Sequence, residues 1–146
     1  MPGLGCAYAV VKNPTLRNKL KKVMNGIVHH VGALGYTATL AAYKDGKSWH
    51  TALVNYLRQN RDHVEANLSA HDRLTAYHSE ATYLTWIDAR KMNVDNPSTY
   101  FEKFGIGLYD GAPFGAPGFL RLNFACPQSV LSEALKRINK GLEVLT

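Results

Sequence analysis

The run Phe119–Phe124 (FLRLNF) constrains the fold more than any other segment. Its residues alternate strictly, with Leu120, Leu122 and Phe124 on one side and Phe119, Arg121 and Asn123 on the other. Successive side chains of a strand point to opposite faces, so this pattern describes a strand with one apolar face and one open face. Pro127 follows at once and suits the first turn of a helix. In that helix Leu131, Ala134, Leu135, Ile138 and Leu142 recur at three- and four-residue steps and form one apolar stripe. A strand that buries one face, next to a helix that buries one stripe, requires a layer of helices on a sheet.

The remaining segments extend that plan backwards. Tyr83–Asp88 (YLTWID) reads as a further strand, and Ser98–Phe104 as a short helix behind Pro97. A long helix starts at Lys47, with Trp49, Leu53, Tyr56, Leu57, Val64 and Leu68 on one stripe and Arg58, Arg61, Asp62 and Glu65 opposite. Before it, Tyr36–Tyr43 has helical spacing, and Asp45-Gly46 interrupts it. Pro14 opens a helix that runs to about Met24 and is closed by Asn25-Gly26, and Gly26–Gly35 is an uncharged joint. The opening run Gly5–Val11 (GCAYAVV) carries no charge and predicts a strand buried on both faces. An α+β layer fits residues 46–146. The opening strand fits less well, because a strand of that kind needs neighbours and the nearby sequence offers none.

At 146 residues the chain is about one domain long, and 46% apolar with 19% charged residues excludes disordered and collagen-like chains. No apolar run approaches the roughly 20 residues of a membrane span, and no cleaved signal peptide is expected. Cys6 and Cys126 form no Cys-x-x-Cys pair and read as two reduced thiols of a cytoplasmic protein. The net charge of +6 is unevenly placed. Lys12, Arg17, Lys19, Lys21, Lys22 and Lys44 precede the first acidic residue, Asp45, and the rest carries 11 basic and 11 acidic residues. Such asymmetry marks either a polyanion-binding arm or a piece whose acidic partners lie on another surface. Aromatic residues do not interleave with the basic ones at 17–22, which argues against a nucleic-acid partner.

Few motifs point to chemistry. His29, His30, His50, His63, His71 and His78 form no His-Glu-x-x-His and no i,i+4 helical pair, so no metal is expected. There is no phosphate-binding glycine loop and no Gly-x-Ser-x-Gly elbow. Arg121 is the exception. It sits in mid-strand opposite an apolar row, just after the glycine-rich loop Gly111–Gly118. An exposed arginine on the wet face of a sheet is the commoner reading. A guanidinium that grips a carboxylate through two parallel hydrogen bonds, beside a loop that leaves room for a ligand, is the other.

The stretch Gly111-Ala-Pro-Phe-Gly115, then Gly118-Phe-Leu-Arg-Leu-Asn-Phe-Ala-Cys-Pro127 and its following helix, resembles the end of pyridoxal-phosphate enzymes of the class I/II aminotransferase superfamily, fold type I. The nearest subgroup is that of the cystathionine β-lyase-type C–S lyases. Tyr56–Asp62 (YLRQNRD), Ala81–Arg90 (ATYLTWIDAR) and Pro2–Pro14 match as well, so the likeness covers essentially the whole chain. Gln128 departs from it, standing where the subgroup often has arginine.

The resemblance implies an α/β enzyme, α+β in its small domain. Residues 1–45 would be the last strand and helices of a large cofactor domain, and 46–146 the C-terminal small domain. It gives Arg121 the α-carboxylate of an amino-acid substrate and brings 81–87 near the mouth of the active site. The Schiff-base lysine of such enzymes lies just before the segment matching Met1–Leu4, and none of Lys12, Lys19, Lys21 or Lys22 stands in its motif. Hence pyridoxal phosphate is expected in the intact enzyme and not on this chain alone, which would then be inactive. A homodimer or larger species through residues 1–45 is expected too. The competing class is a stand-alone, non-catalytic module that self-associates or binds polyanions.

Overall fold

The computed structural model describes residues 2–145, in two compact units divided between Thr51 and Ala52. In the first unit, α1 (Pro14–Met24) begins with proline in its first turn, and the Asn13 side chain accepts from the Leu16 N–H at 3.1 Å. That contact satisfies one of the unpaired donors at the helix start. A second helix, α2 (Ala33–Asp45), carries Gly35, which is the one buried residue of this unit among those described. A Cβ there would stand 2.9 Å from both the Leu4 carbonyl and the Val31 side chain.

The expected opening strand does not form. Residues 6–12 pair with no strand, and Tyr8 and Val10 are 67% and 77% exposed. A strand exists only where a second backbone takes up its N–H and C=O groups. Nothing among the described residues lies beside this run to do so. Its apolar sequence therefore stays at the surface, where Tyr8 meets Tyr43 edge-on with the hydroxyls 2.8 Å apart.

The second unit is a helical layer on a four-stranded antiparallel sheet. Its strands are β1 (Thr75–Tyr77), β2 (Leu84–Asp88), β3 (Tyr109–Asp110) and β4 (Phe119–Asn123), in the order β1-β2-β4-β3. The helices are α3 (Lys47–Leu68), which begins before the division, α4 (Pro97–Glu102) and α5 (Gln128–Glu143). Thr85 and Ile87 of β2 and Leu120 and Leu122 of β4 form one buried face. Against that face pack Val64 and Leu68 of α3, Phe101 of α4, and Leu131, Leu135, Ile138 and Leu142 of α5. The stripe read for α5 is the stripe that is buried.

The stripe of α3 is buried only towards its C-terminal end. Asn60, Val64 and Leu68 are enclosed, whereas Trp49 is 68% exposed. Length explains the difference. Twenty-two helical residues run about 33 Å at about 1.5 Å each. A five-residue strand runs about 17 Å, so the sheet cannot cover the whole helix. Asn60 is the polar exception on the buried side. Its Nδ2 donates to the carbonyls of Phe124 at 2.9 Å and Cys126 at 3.0 Å, tying α3 to the chain just beyond β4.

Replacing Asn60 by alanine leaves these two enclosed carbonyls without their donor. Asn60→Ala is expected to lower unfolding free energy by about 2–4 kcal/mol in urea melts. A loss below about 1 kcal/mol would mean that water reaches the carbonyls and that this tie is dispensable.

Candidate functional site

The other face of the sheet is built by the same alternation. Trp86 of β2 and Tyr109 of β3 are the register partners of Arg121 on either side. Antiparallel partners project to the same face, so Trp86, Arg121 and Tyr109 form one row across the strands. Phe119 stands two residues earlier on β4 and shares that face.

The loop 111–118 adds a fourth ring. Asp110 Oδ1 accepts from the Ala112 N–H at 3.0 Å, and Ala112–Phe114 then makes a single 3₁₀ turn. Gly111 has no room for a side chain, since a Cβ would lie 2.4 Å from the Ala116 carbonyl. Gly115 and Gly118 have φ of 79° and 81°, in the left-handed region that glycine adopts without strain. Folded this way, the loop places Phe114 over Arg121. Its glycines serve the turn, and part of the room that the sequence reserved for a ligand is taken by the phenyl ring.

The Arg121 guanidinium carbon lies 4.6 Å from the centre of the Tyr109 ring and 4.7 Å from that of Phe114. Its Nε is enclosed and has no hydrogen-bond partner, and no ion pair among the described residues involves it. The neighbouring carboxylates are engaged elsewhere. Asp110 takes the Ala112 N–H and the Asn96 amide, the latter at 3.4 Å, while Asp88 takes Arg90 at 2.7 Å. A positive charge is thus fixed on the open face of the sheet with no anion of its own. Such a group can bind a carboxylate in the plane of the guanidinium.

Within the segment 81–87, Thr82 has the left-handed φ of 68°, and Trp86 is the residue beside Arg121. Tyr109, Phe114 and Trp86 were not marked by the sequence as parts of the site. Trp86 had a signal in the alternation of YLTWID, which separates it from Thr85 and Ile87. Phe114 and Tyr109 had none, because their approach to Arg121 depends on how the loop turns.

Every lysine of the chain is exposed. The described residues contain no group of three or more His, Cys, Asp or Glu placed to hold a metal ion. Both cysteines are free, and burial pushes the Cys126 thiol up, so it is a weak nucleophile near neutral pH. No helix is long and apolar enough to cross a membrane.

Comparison with known proteins agrees with the sequence resemblance. A family model described as aminotransferase class I and II matches residues 1–138. The cystathionine β-lyase of Corynebacterium glutamicum is 33% identical over 141 residues, covering 93% of this chain and 38% of that protein. The crystal structure of OvoB aligns with a TM-score of 0.91 at 40% identity, over 96% of this chain and 37% of that one. Cystalysin from Treponema denticola, whose structure contains a pyridoxal 5′-phosphate cofactor, aligns with a TM-score of 0.80 at 31% identity, over 94% and 36%. The chain spans well under half the length of these relatives.

One electrostatic prediction follows from the neighbouring pair. The Arg90 guanidinium, hydrogen-bonded to Asp88, holds that carboxyl below the usual carboxylate range, and this outweighs the opposing effect of burial. Ionised Asp88 therefore favours the folded state above its unfolded pKa, and the benefit is lost as pH falls through the folded value. Asp88→Asn should lower Tm at pH 7, and the difference from wild type should close as pH drops below the carboxylate range. High salt should shrink it, since Arg90 is largely exposed. A difference that stays constant with pH would assign the effect to packing.

Proposed function

The chain belongs to the aminotransferase class I and II family, and on that premise we propose that it is the C-terminal portion of a pyridoxal-phosphate-dependent enzyme acting on amino acids. The kinds of enzyme it fits are a cystathionine β-lyase-type C–S lyase and a related aminotransferase. In this reading residues 1–45 end the large cofactor domain and residues 46–146 form the small domain. The cofactor-bearing lysine lies outside these 146 residues, and the chain alone carries no cofactor. The exposure of every lysine supports this.

Arg121 binds the α-carboxylate of the substrate. The observation that carries the proposal is its guanidinium, held on the open face against two rings, with Nε enclosed and no carboxylate among the described residues paired to it. Two parallel N–H···O bonds in one plane fix the orientation of an amino acid about its Cα as well as its distance. What happens at the Cα then depends on groups elsewhere in the protein. We also place the enzyme in the cytoplasm and as a homodimer or larger through residues 1–45. Both free thiols agree with the first, and the exposed Leu16, Leu20, Val23, Ile27, Leu34 and Leu40 agree with the second.

The test uses the protein extended to the full length of its relatives. A charge-assisted contact of this kind is worth about 1.5–3 kcal/mol, or about 10- to 150-fold. Arg121→Ala should lower kcat/KM for an amino acid by that factor, and Arg121→Lys by nearly as much, because an ammonium cannot form the fork. An amine substrate without the carboxylate should lose far less. Equal losses for both substrates would make Arg121 structural.

A further inference from the structure

From the two rings that contact the Arg121 guanidinium, we infer that Tyr109 and Phe114 are positioning residues that hold it ready for a carboxylate. This rests on the reading of Arg121 given above. A cation over a ring is drawn to the ring face, and here two rings hold it at nearly equal distance, 4.6 and 4.7 Å. Two ring contacts restrict how the guanidinium can turn, and a guanidinium so held offers its N–H groups to a ligand. A planar carboxylate can take two of them in the plane of the guanidinium.

The clamp is braced from outside. Phe114 meets Trp86 edge-on, with centroids 6.2 Å apart, and Trp86 stacks on Phe119 at 5.6 Å. Arg90 lies over the outer side of Phe119 at 4.9 Å. Contacts thus run from Arg90 through Phe119, Trp86 and Phe114 to Arg121, which Tyr109 also touches. Neither ring of the clamp is needed for the core, since Tyr109 is 63% and Phe114 56% exposed. Rings so exposed, both turned on one cation, are placed for Arg121 and not for burial. Tyr109 acts through its ring face, because no hydrogen bond of its hydroxyl is needed to reach Arg121.

The enclosed Nε supplies the readout, because its proton is shielded from solvent exchange and should give a sharp ¹H–¹⁵N signal in this chain. Loss of that signal in Arg121→Lys identifies it. Acetate at constant ionic strength should shift it saturably, and chloride should not. Tyr109→Leu and Phe114→Leu should each weaken the acetate response about three- to tenfold and broaden the signal. Tyr109→Phe, which keeps the ring, should behave as wild type. The backbone amide spectrum of each variant reports folding independently. Leucine variants that bind acetate as wild type does would overturn the clamp and leave Arg121 as a carboxylate site. A wild-type signal indifferent to acetate would overturn both.

Discussion

The register of β4 between β2 and β3 is the constraint on which the rest of the second unit depends. Leu120↔Ile87 and Leu122↔Thr85 put the apolar side chains of β4 under the helices, and Arg121↔Trp86 puts the arginine on the far side. A slip by one residue would exchange the faces. It would expose Leu120, Leu122 and Phe124, each worth roughly 1.5–3 kcal/mol when buried, and force a guanidinium under the helices. Core and site are opposite faces of one strand. The hydrophobic burial that stabilises the unit is also what aims Arg121, and Asn60 fastens the end of the same strand to α3.

What the strand alone cannot provide is the setting of the guanidinium. That comes from the loop before β4, whose path is dictated by where a side chain is impossible. Gly111 is closed in by the Ala116 carbonyl and by Phe119, and Gly118 by the Arg90 side chain. The backbone of this loop is held at both ends by hydrogen bonds, Gly111 N–H to the Phe119 carbonyl and Ala116 N–H to the Gly111 carbonyl. A loop pinned in this way presents Phe114 at a fixed height above the sheet. The first unit has no comparable constraint: it has neither a strand pair nor a layered core among the described residues, and its apolar side chains stand at its surface.

The sequence was legible wherever a period was long enough to read. Five residues of β4 and sixteen of α5 carry their patterns plainly, and Arg121 was found because it stands in mid-strand opposite the apolar row. Strands β1 and β3 have three and two residues, too few for any alternation to declare itself. Gly5–Val11 has the composition of a buried strand, and composition cannot say whether a partner strand is present. Asn60 falls among polar neighbours in sequence, and only its position along α3 shows it to be a core residue. Phe114 sits in a run of glycine and proline that reads as open space. The turn that carries it to Arg121 is a matter of backbone angles.

The central claim is that Arg121, held by Tyr109 and Phe114, receives a carboxylate. A crystal structure of the full-length protein with a bound amino acid tests it most directly. The account predicts both carboxylate oxygens within about 3 Å of the Arg121 nitrogens, in the plane of the guanidinium. A carboxylate held by other residues, with Arg121 turned to solvent or paired to an acidic side chain of the protein, would contradict it.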